Sequence, residues 1–93
     1  MLPPDEHSVL GDFNQTAFAG EGITATFSKR QSNYIITLQD KGQTREYPVQ
    51  YTFGFYPLQQ YLLDIGNGKL QAFDIAWDSR PRDQGGQRWF YPN

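Results

Sequence analysis

LQQYLLDIGNGKLQAFDIAW, residues 58–77, decides the fold. Two apolar-rich runs, 58–65 and 69–77, flank Gly66, Asn67 and Gly68. Asn-Gly in that setting is the strongest short-range signal for a β-hairpin. The loop holds two or three residues on this reading, which leaves the cross-strand partners open, because a one-residue slip exchanges the faces of a strand.

Working upstream, YTFGFYPLQQYL at 51–62 is cut by Gly54 and Pro57, so one strand ends near 53 and the hairpin's first strand begins at 58. The stretch is a corner, with Tyr51, Phe53, Leu58 and Leu62 as expected core and its glutamines as partners for backbone groups, since a buried amide must be hydrogen-bonded. Before it, TREYPVQYTF places Tyr47, Val49, Tyr51 and Phe53 on one face, and Pro48 marks an edge or a bulge. Asp40 and Gly42 supply the preceding turn, NYIITLQ is rich in β-branched and aromatic residues, and Ile23, Ala25 and Phe27 alternate with Thr24, Thr26 and Ser28. The expectation is an all-β domain: a five-stranded antiparallel meander, at about 23–29, 33–39, 44–53, 58–65 and 69–77, rolled into a small barrel or a sandwich.

The ends read as irregular. Residues 1–8 form a flexible, Pro-rich, acidic lead-in, and 9–93 form a single domain. Between 9 and 22, Gly and Asp/Asn punctuate a loop anchored by Val9, Leu10, Phe13 and Phe18. After Trp77 the chain becomes an extended tail whose Trp89, Phe90 and Tyr91 fold back onto the sheet.

With 93 residues the core must come from large side chains, and seven Phe, six Tyr and two Trp supply it. A net charge of -2, with acids and bases interspersed, lacks the footprint for nucleic acid. No apolar run is long enough for a membrane helix, and MLPPDEHSVL has neither region of a secretion signal. The absence of cysteine excludes disulfides, thiol catalysis and covalent haem within these residues. The isolated domain is expected to be a monomer.

Catalytic motifs are weak. Asp64, Asp74 and Asp78 lie on or beside the hairpin and could supply a glycosidase-like carboxylate pair, but the ordinary reading is turn and strand-face aspartates. His7, the sole histidine, sits in the acidic lead-in with Asp5 and Glu6, too few fixed ligands for a metal. Gly85-Gly86 lacks the strand-to-helix setting of a phosphate loop. The one concentration of guanidinium and aromatic groups is Trp77, Arg80, Arg82, Arg88, Trp89, Phe90 and Tyr91. Such a set can grip carboxylates and pack against a partner, or it can clamp the tail through cation-π contacts and ion pairs with Asp78 and Asp83. We take these residues as the candidate interface.

Four stretches, GDFN at 11–14, YTFG..PLQQYL at 51–62, LQAFDIAWDSRP at 70–81 and GGQRWF at 85–90, resemble a cysteine-free segment of bacterial multihaem c-type cytochromes, some of which also carry tetratricopeptide repeats. The resemblance covers about Val9 to Tyr91. It implies a periplasmic electron-transfer protein of which this chain is one domain excised at an added Met, with haem c bound elsewhere in the parent and none here. The implied partners are the haem-bearing parts of that parent or its redox partners. The family often has His after Trp-Phe where this sequence has Tyr91, so no haem ligand carries over to that place, and no catalytic residue is carried over. A stand-alone module holding a saccharide or peptide on exposed aromatics is the alternative.

Overall fold

The computed structural model describes residues 1–92; Asn93, the last residue of the expected domain, lies outside them. Eight strands, β1 (Thr16–Ala19), β2 (Thr24–Arg30), β3 (Asn33–Asp40), β4 (Gln43–Phe53), β5 (Leu58–Gly66), β6 (Lys69–Ala72), β7 (Ala76–Asp78) and β8 (Arg88–Phe90), form one antiparallel sheet in the order β1-β2-β3-β4-β5-β7-β8. β6 pairs β5 beside this path. The sheet curls until β8 meets β1 through side chains, so it is an all-β barrel closed on most of its circumference. Among the described residues the one helical element is a 3-10 turn at Arg82–Gln84, and no helix is long and apolar enough to cross a membrane.

Five expected strands become eight for two reasons. The expected 69–77 strand follows β5 throughout but breaks at Phe73–Ile75 into β6 and β7. β1 and β8 are short and lie in segments read as irregular, where tertiary pairing overrides a weak local pattern: Thr16 to Ala19 pair with Phe27 to Thr24, and Arg88 to Phe90 pair with Asp78 to Ala76.

Turn chemistry explains the hairpins. Gly66 pairs with Lys69, leaving a two-residue loop in which Asn67 and Gly68 have φ of 56° and 73°. Lys41 and Gly42 repeat this between Asp40 and Gln43, with φ of 50° and 79°. Two consecutive positive φ values are what a type I′ turn needs, and its twist matches that of the flanking strands.

A bulge at Gln50 changes the expected core. The β4–β5 register steps from Val49↔Leu63 to Tyr51↔Leu62, so one extra residue on β4 exchanges the faces beyond it. Val49 is buried before the bulge and Thr52 after it, while Tyr51 and Phe53 are half-buried. On β5 the core phase is Gln59, Tyr61 and Leu63, and Leu58 and Leu62 lie on the other, half-buried phase. Leu10, an expected anchor, is exposed, whereas Phe13 is buried.

The lead-in is tied to the sheet. Leu2 and Thr52 exchange backbone hydrogen bonds of 3.0 and 2.8 Å, and the Asp5 carboxylate accepts from the His7 and Ser8 amides at 2.8 Å. These two amides hold the Asp5 carboxyl below the usual carboxylate range.

Candidate functional site

GDFN at 11–14, YTFG..PLQQYL at 51–62, LQAFDIAWDSRP at 70–81 and GGQRWF at 85–90 converge on one side chain. Trp89, 7% exposed, stacks on Phe27 with ring centroids 3.6 Å apart and planes within 4°. Phe13 of GDFN meets Trp89 edge-on at 5.6 Å and also contacts Phe27, Tyr34 and Tyr61 edge-on. Trp77 lies 4.9 Å from Trp89 and Tyr61 lies 5.7 Å from it. Edge-to-face rings of this kind add about 0.5–1.5 kcal/mol per pair beyond the area they bury. Gly11 belongs to the same lock: a Cβ there would stand 2.5 Å from the Trp89 ring and 2.6 Å from the Tyr61 hydroxyl.

A buried amide closes the polar side of this cluster. Gln59 Oε1 accepts from the Leu10 amide at 2.8 Å and from the Tyr61 hydroxyl at 2.5 Å, while Gln59 Nε2 donates to Ser8 O at 2.6 Å. Burial pushes the Tyr61 hydroxyl far above its ordinary value, so it remains a donor. The Gln59 amide thus ties the N-terminal segment to β5, the backbone role expected of the corner glutamines. Gln87 does the same in the last loop, donating from Nε2 to Ser79 O at 3.1 Å.

The candidate interface residues divide into core, loop and rim. Trp77 and Trp89 are core residues and present no contact surface. Trp77 Nε1 is buried and has no hydrogen-bond partner among the described residues. Arg80 pairs with the buried Asp78 carboxylate: Nη2 lies 2.6 Å from Oδ2, Nε donates to Oδ1 at 3.0 Å, and the Arg80 amide also donates to Oδ1 at 3.0 Å. The Arg80 guanidinium holds the Asp78 carboxyl below the usual carboxylate range. Arg88 Nε donates to Gly85 O at 2.9 Å, and its guanidinium sits 5.9 Å from the Phe90 ring centroid. Arg82 lies exposed on the 3-10 turn. Tyr91 leans across the seam onto Phe18, with centroids 5.5 Å apart, and packs against Gly20. With Trp89 Nε1 donating to Thr16 Oγ1 at 3.4 Å, the tail joins the last strand to the first.

Gly86 explains the glycine pair before β8. It is buried against the Arg80 backbone, where a Cβ would overlap the Arg80 carbonyl, so the 79–87 loop folds this tightly with glycine alone. The three aspartates are separated by use: Asp64 Oδ1 accepts from the Gly66 amide at 2.9 Å, Asp74 is exposed in the strand break, and Asp78 is ion-paired. Among the described residues no group of three His, Cys, Asp or Glu is placed to hold a metal.

Two surfaces stand out once the tail is assigned to the core. The corner after β4 projects Phe55 and Tyr56, 88% and 75% exposed, and is pinned from behind by Ser79, whose N and Oγ each donate to Pro57 O at 2.9 Å. Gly54 makes this corner possible: its φ of 115° favours glycine, and a Cβ would lie 2.6 Å from Leu58 O. The second surface is a cavity of about 180 Å³ at the open part of the barrel, walled by Ile23, Leu38, Tyr47, Leu63, Phe73 and Tyr91. Nothing local in the sequence marks it, because its walls come from strands far apart in the chain.

Comparison with protein-family models, with curated proteins and with solved structures finds no match for this chain.

Proposed function

We propose that this chain is a non-catalytic module of a periplasmic multihaem cytochrome c, which packs against and positions the haem-bearing parts of an electron-transfer protein. The observation that carries the reading is the resemblance at 11–14, 51–62, 70–81 and 85–90, joined to the meeting of all four stretches around Trp89. Residues that specify one interlocked core are what a shared scaffold needs, and they leave contact work to the surface around them. Phe55 and Tyr56, the two positions the resemblance leaves open, are the most exposed aromatics of the corner. Arg80, at 40% side-chain exposure, lies near Tyr56. An exposed aromatic pair beside a guanidinium suits a protein or haem-propionate contact.

Two measurements test this. The reading frame around the segment is expected to encode Cys-x-x-Cys-His on both sides; stop codons directly flanking it would remove the reading. Mixed with the haem-bearing remainder, the wild-type domain is expected to show amide shifts at 55–56 and around Arg80. Phe55→Ser, which changes stability by no more than about 0.5 kcal/mol as an exposed substitution, is expected to weaken that complex. Unmoved amides in a formed complex would place the contact elsewhere.

A further inference from the structure

β6 is an open edge. Phe73 N donates to Tyr61 O at 2.9 Å, and the register continues through Leu62↔Ala72, Leu63↔Gln71 and Asp64↔Leu70. In an antiparallel ladder the hydrogen-bonded pairs alternate with non-bonded ones. Gln71 therefore turns its N–H and C=O toward β5, and Leu70 and Ala72 turn theirs outward. All four residues of β6 are exposed, and among the described residues β6 pairs with β5 alone.

The same edge is occupied further along. β7, in line with β6 on the same side of β5, takes β8 as an antiparallel partner from Asp78↔Arg88 to Ala76↔Phe90. There the ladder stops, and Tyr91 turns away across the seam onto Phe18. A wedge is left outside β6, and the 180 Å³ cavity opens beside it, lined by Gln71, Ala72 and Phe73 of the edge itself. A dry 150 Å³ cavity with aliphatic and aromatic walls takes up benzene, so this one has room for a single aromatic or leucine-sized side chain. The charged residues lining the cavity and the hollow next to it are Asp74 and Glu21, while β6 itself carries the exposed Lys69 at its far end.

We propose that β6 is a strand-addition site for an extended segment of a partner protein, lying antiparallel to β6 in line with β8, with an aromatic side chain in the cavity and a basic residue beside Asp74 and Glu21. Main-chain bonds to Leu70 and Ala72 supply register, the cavity selects the anchor, and the acidic rim selects the neighbouring charge.

The probe is the blocked peptide acetyl-Lys-Val-Phe-Val-Lys-amide, titrated into this chain and followed by amide and methyl NMR. Saturable shifts and slowed exchange at the Leu70 and Ala72 amides, with shifts at Leu63 and Ile75 side chains, are expected. The same peptide N-methylated at alternate residues is expected to bind about tenfold more weakly, the loss of one or two hydrogen bonds. Ala72→Pro removes an outward donor and is expected to weaken binding similarly while leaving the Leu63 and Ile75 signals of the free protein in place. Should that variant not fold, the N-methylated peptide decides the matter alone. Equal affinity for methylated and unmethylated peptide, shifts at the cavity without β6, no shifts, or β6 protection that arises with protein concentration in the absence of peptide would each overturn the proposal. The last would make the occupant a second copy of this chain.

Discussion

β6 and β7 are two halves of one run along β5, separated by three residues, yet they are treated in opposite ways. β7 is buried at every residue and carries Trp77 into the aromatic cluster, and β8 lies on its outer side, whereas β6 is exposed throughout and among the described residues has no strand on its outer side. The chain's last turn makes this difference. Residues 79–87 form a tight loop that returns the tail to β7, and Trp89 then fills the barrel centre. Trp77 and Trp89 are structural here, and the plain edge beside them is unpaired on its outer side among the described residues.

The comparison breaks first at its centre. Trp89→Ala removes the side chain on which Phe13, Phe27, Tyr61 and Trp77 converge and is expected to cost about 3–5 kcal/mol, read from the urea midpoint. A loss below about 1 kcal/mol would show that the tail is not the clasp of the barrel. Next come two prolines placed on the two halves. Ala76→Pro, in a fully buried position between β5 and β8, is expected to destabilise by more than about 2 kcal/mol. Ala72→Pro, whose N–H points outward, is expected to stay within about 0.5 kcal/mol of wild type. Equal costs for the two would erase the distinction between a closed and an open edge.

Asp78 sharpens the closed half further. Because Arg80 lowers its folded-state pKa, the pair contributes stability above the ordinary carboxylate range, and that contribution is lost as the pH falls through the lower folded value. The stability difference between wild type and Asp78→Asn is therefore expected to be largest near neutral pH and to shrink on acidification. A difference that stays constant with pH would mean that the ion pair adds nothing beyond hydrogen bonds an amide can also make.

The sequence made particular elements legible through local chemistry. Alternation around Ala25 and Phe27, the Asn67-Gly68 turn and the Gly54–Pro57 corner each depend on residues next to one another, and each appears in place. β1 escaped because Thr16–Ala19 is short and set among turn residues; its pairing is supplied by β2. The tail's fold-back is legible from its aromatics, but whether Trp77 and Trp89 clamp the tail or join the arginines in an interface is not, since composition cannot separate a ring that fills a core from one that rims it. The cavity and the open edge of β6 left no local signal at all.

By itself the sequence determined an all-β domain, its hairpins and the corner at 54–57, because periodicity and turn dihedrals act within a few residues. Tertiary structure alone decided which phase of β5, and of β4 beyond Gln50, faces inward. In LQQYLL both phases carry apolar residues, yet Gln59 and Tyr61 enter the core and Leu58 and Leu62 do not, while the extra residue at Gln50 brings Thr52 of β4 to the inward face. Packing made that choice: Gln59 finds Ser8, Leu10 and Tyr61 as partners once the N-terminal segment lies across it, and a buried amide with its hydrogen bonds made costs little.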